Sequence, residues 1–151
     1  MGRRLFKELE RSYGFDEVAI VPGQVTINPE LTSTKMTIGD LEFEIPIMAS
    51  AMDGAVSPGF ASYMHEMGGL GVLNAEGLYS RYEDPYSVLE EIISCPQESV
   101  TEFLQKVYSE PIREGLIGQR VREIKNTGAT CAVSFTPQNT KRMSPAAVEA
   151  G

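Results

Sequence analysis

The chain has 151 residues, of which 42% are hydrophobic and 23% are charged, as is typical of one globular domain with a buried core. With 13 basic and 21 acidic residues the net charge is −8, which argues against nucleic-acid or anionic-membrane partners, because both attract positive surfaces. No apolar run reaches the length of a membrane span, and two cysteines outside any CxxC pair favour a reducing cytoplasm over a disulfide framework.

The first part of the chain predicts a short helix and a β-hairpin. Residues 3–13 predict the helix, and the apolar run at residues 16–22 ends in a Pro-Gly turn. Residues 34–38 and 41–45 alternate in polarity, which is typical of two paired strands. Gly39-Asp40 between them suits a type II′ turn, which needs glycine first.

The stretch from Ile45 to Asn74 has the order of a βαβ unit. An apolar run to Ala51 predicts the first strand. Ser57-Pro58 is an N-cap followed by proline at the first helical position, so a helix is expected to begin there. Gly68 is expected to end this helix as a left-handed cap before a second apolar strand. Spacings of i, i+4 and i+7 predict a buried helical stripe made of Phe60, Met64 and Met67.

The remainder alternates between helices and one further strand. Asp84-Pro85 predicts the start of a helix to about residue 94, and apolar spacing predicts a second helix over residues 98–108. Residues 116–126 predict a third helix and residues 129–135 a buried strand. Ser144-Pro145 is expected to open the last helix, after a loop at 136–139. This alternation predicts an α/β fold with a parallel sheet.

Polar residues follow the predicted strands at their carboxyl ends, where parallel α/β proteins bind ligands. Ser50, Met52 and Asp53 follow the first strand, Asn74 ends the second and Thr136 follows the third. Periodicity alone favours a strand-end serine, a core methionine and an ordinary polar loop at Thr136. For Asp53 we favour structural support, as an acceptor of backbone N–H groups, over catalysis. No metal site is expected, because no histidine, cysteine or carboxylate set has ligand spacing.

Four successive motifs resemble the IMP dehydrogenase/GMP reductase family. They are DEVAIVPG, the hairpin segment beginning LTSTKMTI, IPIMASAMD and GGLGVL, all within residues 15–74. Their order and spacing agree, so the resemblance is more specific than any single motif, and VREIKNTGATCAVSF is similar to the family's next helix and strand. The resemblance implies the N-terminal portion of a (β/α)8 TIM barrel, with about three βα units after the short helix and hairpin; a complete barrel takes about 250 residues.

The resemblance also implies a division of the chain. Residues 75–118 stand where longer family members carry regulatory CBS modules, so the chain resembles the short branch without them. The implied parts are the N-terminal helix and hairpin at 1–44, the first βαβ unit at 45–74, the helical insertion at 75–118 and the next αβα elements at 119–151.

The family's catalytic cysteine lies in a G-x-G-S-x-C loop. Cys95 lies in Ser-Cys-Pro and Cys131 lies in a predicted buried strand, so neither matches. We therefore expect no catalytic residue in this chain and expect that loop beyond Gly151.

The activity that the resemblance implies for the complete enzyme is NAD-dependent oxidation of IMP to XMP in cytoplasmic guanine nucleotide biosynthesis. Ser50 and Met52 would then bind IMP, with Asp53 and Asn74 in support and Thr136 near NAD. A monovalent cation and a homotetramer are further family expectations. Two alternatives stay open: a GMP reductase-like activity, and a non-catalytic part-barrel module if 151 residues is the mature length.

Overall fold

The structure is a computed structural model that describes residues 10–151. The chain divides into two compact units, Met1–Ser33 and Thr34–Gly151. The predicted helix at residues 3–13 lies mostly outside the described residues, and its described end, residues 10–13, is not helical.

The described part of the first unit contains a turn and a short 3-10 helix. The turn is closed by Glu17 N–H, which donates to Gly14 O at 3.0 Å. The 3-10 helix spans Pro29–Leu31, and the Asn28 side chain caps it by accepting from Glu30 N at 3.3 Å. The proline at the first position lacks an N–H that would otherwise need a partner.

The second unit is an α/β structure with a small hairpin and a parallel sheet. Across the described residues, no helix is both long and apolar enough to cross a bilayer. The elements, in chain order, are β1 Met36–Ile38, β2 Leu41–Phe43, β3 Met48–Ala49, α1 Pro58–Glu66, β4 Leu70–Asn74, a 3-10 turn Leu78–Ser80, α2 Pro85–Ser94, α3 Val100–Ser109, α4 Glu114–Lys125, β5 Ala132–Ser134 and α5 Pro137–Glu149.

The predicted hairpin is confirmed. β1 and β2 pair antiparallel, with Ile38 opposite Leu41 and two residues between the strands. Gly39 has φ of 59°, and no described residue other than glycine has positive φ, so Asp40 does not. This combination fits the predicted type II′ turn rather than a type I′ turn, which needs positive φ at both positions.

The parallel sheet is also confirmed, in the order β3-β4-β5. Ala49 is level with Gly71, and Asn74 is level with Ser134. The first and last strands are shorter than the apolar runs that predicted them. Because all three strands run in the same direction, their carboxyl ends lie along one edge of the sheet.

Helix α1 begins and ends as predicted, but its buried face is different. Ser57 accepts from Phe60 N at 3.0 Å, and Gly68 leaves the helix with φ of 81°. Of the predicted stripe only Met64 is buried, whereas Phe60 and Met67 are exposed. The cause is a close approach, because a Cβ on Gly71 would lie 2.7 Å from Ala61 Cα. Only small residues fit at that contact, so Ala61 faces the sheet and the large side chains are turned away.

Two clusters of buried side chains form the core. One joins α1, β4 and α4, and the other joins α4 and α5. Burial of these apolar surfaces is the main force that holds the helices on the sheet. The clusters consist of Val56, Ala61, Leu73, Tyr79, Ile124 and Ala129, and of Ala75, Ile117, Val121, Met143 and Ala147.

Helices α2 and α3 form as predicted. Asp84 caps α2 by accepting from the backbone N–H groups of Tyr86 and Ser87, both at 3.2 Å. Pro85 occupies the first helical position. The helix leaves a large apolar side chain uncovered, because Ile93 is 81% exposed.

The prediction for the last helix is wrong. α5 begins at Pro137, and Pro145 lies inside it. Thr136-Pro137 is itself a cap and first-position pair, so the segment read as a loop is the first turn of the helix. The missing N–H of Pro145 leaves the carbonyl of Lys141 without its helical donor. Lys141 is exposed, so water can take that place.

Arg120 holds the segment after β4 against α4. Its side chain is 8% exposed and ion-pairs with Glu123 at 2.7 Å. Its Nε donates to Tyr79 O at 2.9 Å, and its Nη2 donates to Tyr82 O at 3.2 Å and Glu83 O at 2.7 Å. The guanidinium therefore satisfies three main-chain carbonyls in a segment that has little regular structure.

Replacement of Arg120 is expected to destabilise the protein strongly. Arg120→Ala leaves three carbonyls without their donor and should lower the free energy of unfolding by about 3 kcal/mol. Urea denaturation measures this. Arg122→Ala, on the exposed side of the same helix, is the control and should change stability by no more than about 0.5 kcal/mol. Equal effects of the two substitutions would contradict the anchoring role of Arg120.

Candidate functional site

The loops that follow the three parallel strands lie along the carboxyl edge of the sheet. The β3 loop carries Ser50, Met52 and Asp53, while β4 ends at Asn74 and Thr136 follows β5. These are the residues that the sequence singled out. Parallel strands place such loops side by side, which is why ligands of α/β proteins bind at this edge.

Ser50 and Met52 present exposed side chains on a tight turn. Met52 N–H donates to Ser50 O at 2.8 Å, and Met52 O accepts from Ala55 N and Val56 N, both at 2.9 Å. The Met52 side chain is 58% exposed. The backbone of the turn is therefore internally bonded, while a hydroxyl and a flexible thioether face outward and are available to a ligand.

Asp53 points the opposite way and is buried, at 8% exposure. Its Oδ2 accepts from Leu78 N at 3.0 Å and from Tyr108 Oη at 2.7 Å. Its Oδ1 is buried and has no hydrogen-bond partner among the described residues. The carboxylate lies against Gly77, where a Cβ would overlap Oδ1. Asp53 thus connects the β3 loop to the segment after β4 and to the end of α3.

Tyr108 is held as a hydrogen-bond donor in this arrangement. Burial raises the pKa of its hydroxyl, and the hydrogen bond to Asp53 and the charge of Asp53 raise it further. A phenol with a raised pKa keeps its proton at neutral pH, so the bond to the carboxylate persists.

Glu76 joins the ends of β4 and β5. Asn74 Oδ1 accepts from Glu76 N at 3.1 Å. The Glu76 carboxylate accepts from Thr136 N at 2.6 Å, from Thr136 Oγ1 at 2.9 Å and from Asn139 Nδ2 at 2.8 Å. The structure therefore brings Asn74 and Thr136 together, and it does so through a residue that the sequence interpretation had passed over.

The carboxylate of Glu76 sits at the N-terminus of α5, where helix dipoles favour negative charge. Burial opposes its ionisation, but the hydrogen bonds from Asn139 and Thr136 and the charge of Arg81 outweigh burial and lower the pKa of Glu76. The N–H and the hydroxyl proton of Thr136 are both engaged by this carboxylate. The Thr136 side chain can therefore bond a ligand only by accepting a hydrogen bond at its hydroxyl oxygen.

A groove of about 510 Å³ lies between the β3 loop and α2. Its lining is largely apolar and aromatic, and Ser50 and Met52 do not line it. Within the part of the chain that the structure describes, no three histidine, cysteine or acidic side chains cluster as metal ligands would. Ser50 and Met52 lie outside this groove and are exposed at the sheet edge.

Two further residues, Glu76 and Tyr108, bond the site residues at this edge, and a sequence pattern could have indicated only the first of them. Glu76 could have been found, because the Thr136-Pro137 pair marks a helix start and Glu76 follows the neighbouring strand end. Tyr108 gave no signal. It lies 55 residues from Asp53 in a helix whose apolar spacing alone was informative.

A side chain at position 77 is expected to displace the Asp53 carboxylate. In Gly77→Ala the Cβ would overlap Oδ1, so Asp53 must give up the bonds to Leu78 and Tyr108. We expect a loss of about 2 kcal/mol in unfolding free energy, measured by urea denaturation. Gly115→Ala is the control, because a Cβ there meets nothing within 4 Å in helix α4. It should be neutral or slightly stabilising, and a neutral Gly77→Ala would contradict the packing described.

The chain is similar in sequence to known proteins. The family model described as "IMP dehydrogenase / GMP reductase domain" matches residues 12–103. An uncharacterized oxidoreductase of Mycolicibacterium smegmatis is 36% identical over 146 residues, which cover 93% of this chain and 39% of that protein. Inosine-5′-monophosphate dehydrogenase of Methanocaldococcus jannaschii is 33% identical over 67 residues, covering 44% of this chain and 14% of that enzyme.

The fold has a solved counterpart. The crystal structure of an IMP dehydrogenase/GMP reductase-like protein from Corynebacterium glutamicum superposes with a TM-score of 0.85 at 30% identity, over 96% of this chain and 40% of that one. The chain thus spans about two fifths of the length of the Mycolicibacterium and Corynebacterium proteins. The family match covers more than half of the chain, and the structural match covers almost all of it. The chain belongs to the IMP dehydrogenase/GMP reductase family.

Proposed function

We propose that the natural protein carrying this chain oxidises IMP to XMP with NAD, in guanine nucleotide biosynthesis in the cytoplasm. The observation that carries the proposal is the exposed turn of Ser50 and Met52 at the carboxyl edge of a parallel sheet in a chain of this family. The substrate is IMP or a related purine nucleotide. Relatives named oxidoreductase and inosine-5′-monophosphate dehydrogenase support an oxidoreductase.

The chain's own part in this reaction is to bind and orient the nucleotide. The Ser50 hydroxyl would bond a sugar or phosphate oxygen, and the Met52 thioether would pack on the purine face. Asp53 and Asn74 would support that wall from behind, since their side chains bond neighbouring backbone N–H groups. We assign no catalytic residue to this chain.

NAD would accept the hydride when bound, as the family's chemistry requires. Thr136 stays our proposed cofactor contact, and its geometry limits that contact to one acceptor atom because Glu76 takes both donors. We therefore derive no step through NAD from these residues. A monovalent cation, for which we assign no residue in this chain, and a homotetrameric assembly are part of the same proposal for the natural protein.

We also infer that the three-stranded sheet is part of a (β/α)8 barrel. The strands are parallel, lie in sequence order and are each followed by helix, which is the repeating pattern of that fold. Within the described residues β3 and β5 each pair on one side only. Further strands beside them would close the barrel. Residues 75–118 would then stand at the position of the CBS modules of longer members.

A GMP reductase-like activity is the second candidate, because the matching family description names both enzymes. The two activities use this wall alike and differ in redox direction. A third possibility, a non-catalytic module of this length, predicts a natural protein of 16.5 kDa by intact mass and no turnover.

The assay that tests the proposal compares the two redox directions. With the natural protein we expect NADH to form from IMP and NAD, followed by nicotinamide absorbance. NADPH consumption with GMP alone would overturn the choice of reaction.

Ser50→Ala should raise the KM for IMP about tenfold, since one hydrogen bond to a charged or polar ligand oxygen is lost. Ser94→Ala, at the exposed end of α2, is the matched control and should leave KM unchanged. An unchanged KM in Ser50→Ala would contradict the assignment of this wall to the nucleotide.

A further inference from the structure

A chain of polar contacts runs from the insertion to the loops at the carboxyl edge. Tyr108 Oη donates to Asp53 Oδ2 at 2.7 Å, and the Arg81 guanidinium carbon lies 5.8 Å from the centre of the Tyr108 ring. Arg81 Nε donates to Glu76 O at 3.1 Å, and the Glu76 carboxylate accepts from Thr136 N at 2.6 Å. The contacts thus join the loops after β3, β4 and β5.

Arg81 also fixes the end of α3. Its Nη1 donates to Glu110 O, two residues beyond Tyr108. The same guanidinium therefore bonds the loop after β4 and the segment that presents the Tyr108 hydroxyl. A cation near an aromatic face adds an attraction of about 0.5–1 kcal/mol where the site is partly exposed. These contacts hold Tyr108 where its hydroxyl can donate to Asp53 Oδ2.

Asp53 has few substitutes for that donor. The residue is buried, its Oδ1 has no partner among the described residues, and its Oδ2 is shared between Leu78 N and Tyr108 Oη. A buried carboxylate that loses one of two donors is strongly disfavoured where it stands. Without Tyr108 Oη we expect the Asp53 side chain to leave this position for part of the time, with the turn that carries Met52.

We propose that Tyr108 and Arg81 are positioning residues for the nucleotide wall, which they reach through Asp53 without touching the ligand. This inference rests on the proposed function for its substrate. These two residues then hold the Ser50–Val56 turn in the conformation that the nucleotide meets. A turn that is ordered beforehand does not have to be ordered by the ligand, so its loss weakens binding more than it slows the chemical step.

Tyr108→Phe in the natural protein tests this, because it removes one oxygen and keeps the ring. The KM for the nucleotide should rise about tenfold while kcat changes less than about threefold, as expected for one lost bond to a charged group. Tyr82→Phe is the matched control. Tyr82 Oη donates to Val107 O at 2.9 Å, so this variant also loses a hydroxyl tether to α3 but leaves Asp53 intact.

The outcomes separate positioning from stability. A raised KM in Tyr108→Phe with a normal KM in Tyr82→Phe supports the proposal. An unchanged KM in Tyr108→Phe, or an equal rise in both variants, overturns it, since a merely structural tether acts through stability alone.

Amide hydrogen exchange of the ligand-free protein gives a readout that does not depend on the substrate. Exchange at the Ala55 and Val56 amides, which bond Met52 O, should be at least about fivefold faster in Tyr108→Phe and unchanged in Tyr82→Phe. Unchanged exchange in Tyr108→Phe overturns the positioning role. If the wild-type protein binds no purine nucleotide, the proposed function fails, and exchange at these amides still decides whether Tyr108 orders the turn.

Discussion

The carboxylate of Asp53 is the interaction on which the architecture of this sheet edge depends. It is buried, and it accepts from a backbone N–H after β4 and from a hydroxyl on α3. Because a buried carboxylate that loses a donor is strongly disfavoured, the three segments must keep their relative positions for both hydrogen bonds to form. The same constraint explains why position 77 carries no side chain, since the carboxylate occupies the space that a Cβ would need.

A second carboxylate, that of Glu76, completes the edge on the β5 side. It accepts hydrogen bonds from Thr136 N and Asn139 Nδ2 at the start of α5, where the helix dipole favours a negative charge. Both carboxylates are turned toward the protein, whereas Ser50 and Met52 of the β3 loop are exposed. Hydrogen-bonded carboxylates behind the loop and flexible, exposed side chains on it are compatible with the nucleotide site that we propose on this rigid scaffold. The class of ligand that we propose rests on family membership, and the side of the sheet that we propose for it rests on the exposed turn after β3.

The sequence predicted the elements whose signals are local. Ser57-Pro58, Asp84-Pro85 and Gly39-Asp40 each carry their own backbone chemistry, and all three behave as predicted. The wrong predictions concern features that depend on contacts with residues far away in the chain. Thr136-Pro137 and Ser144-Pro145 are similar start signals, and Glu76, 60 residues from Thr136, bonds the first of them.

The face of α1 was likewise decided by the contact between Gly71 and Ala61 rather than by residue size along the helix. At the site, strand-end position indicated Ser50, Met52 and Asp53. No local pattern could indicate that a tyrosine in α3 would reach Asp53. The most direct measurement is a crystal structure of the natural protein with IMP bound. We expect a sugar or phosphate oxygen within hydrogen-bond distance of Ser50 Oγ, the purine against Met52, and the bond between Tyr108 and Asp53 in place. IMP bound away from Ser50 and Met52 would contradict this expectation.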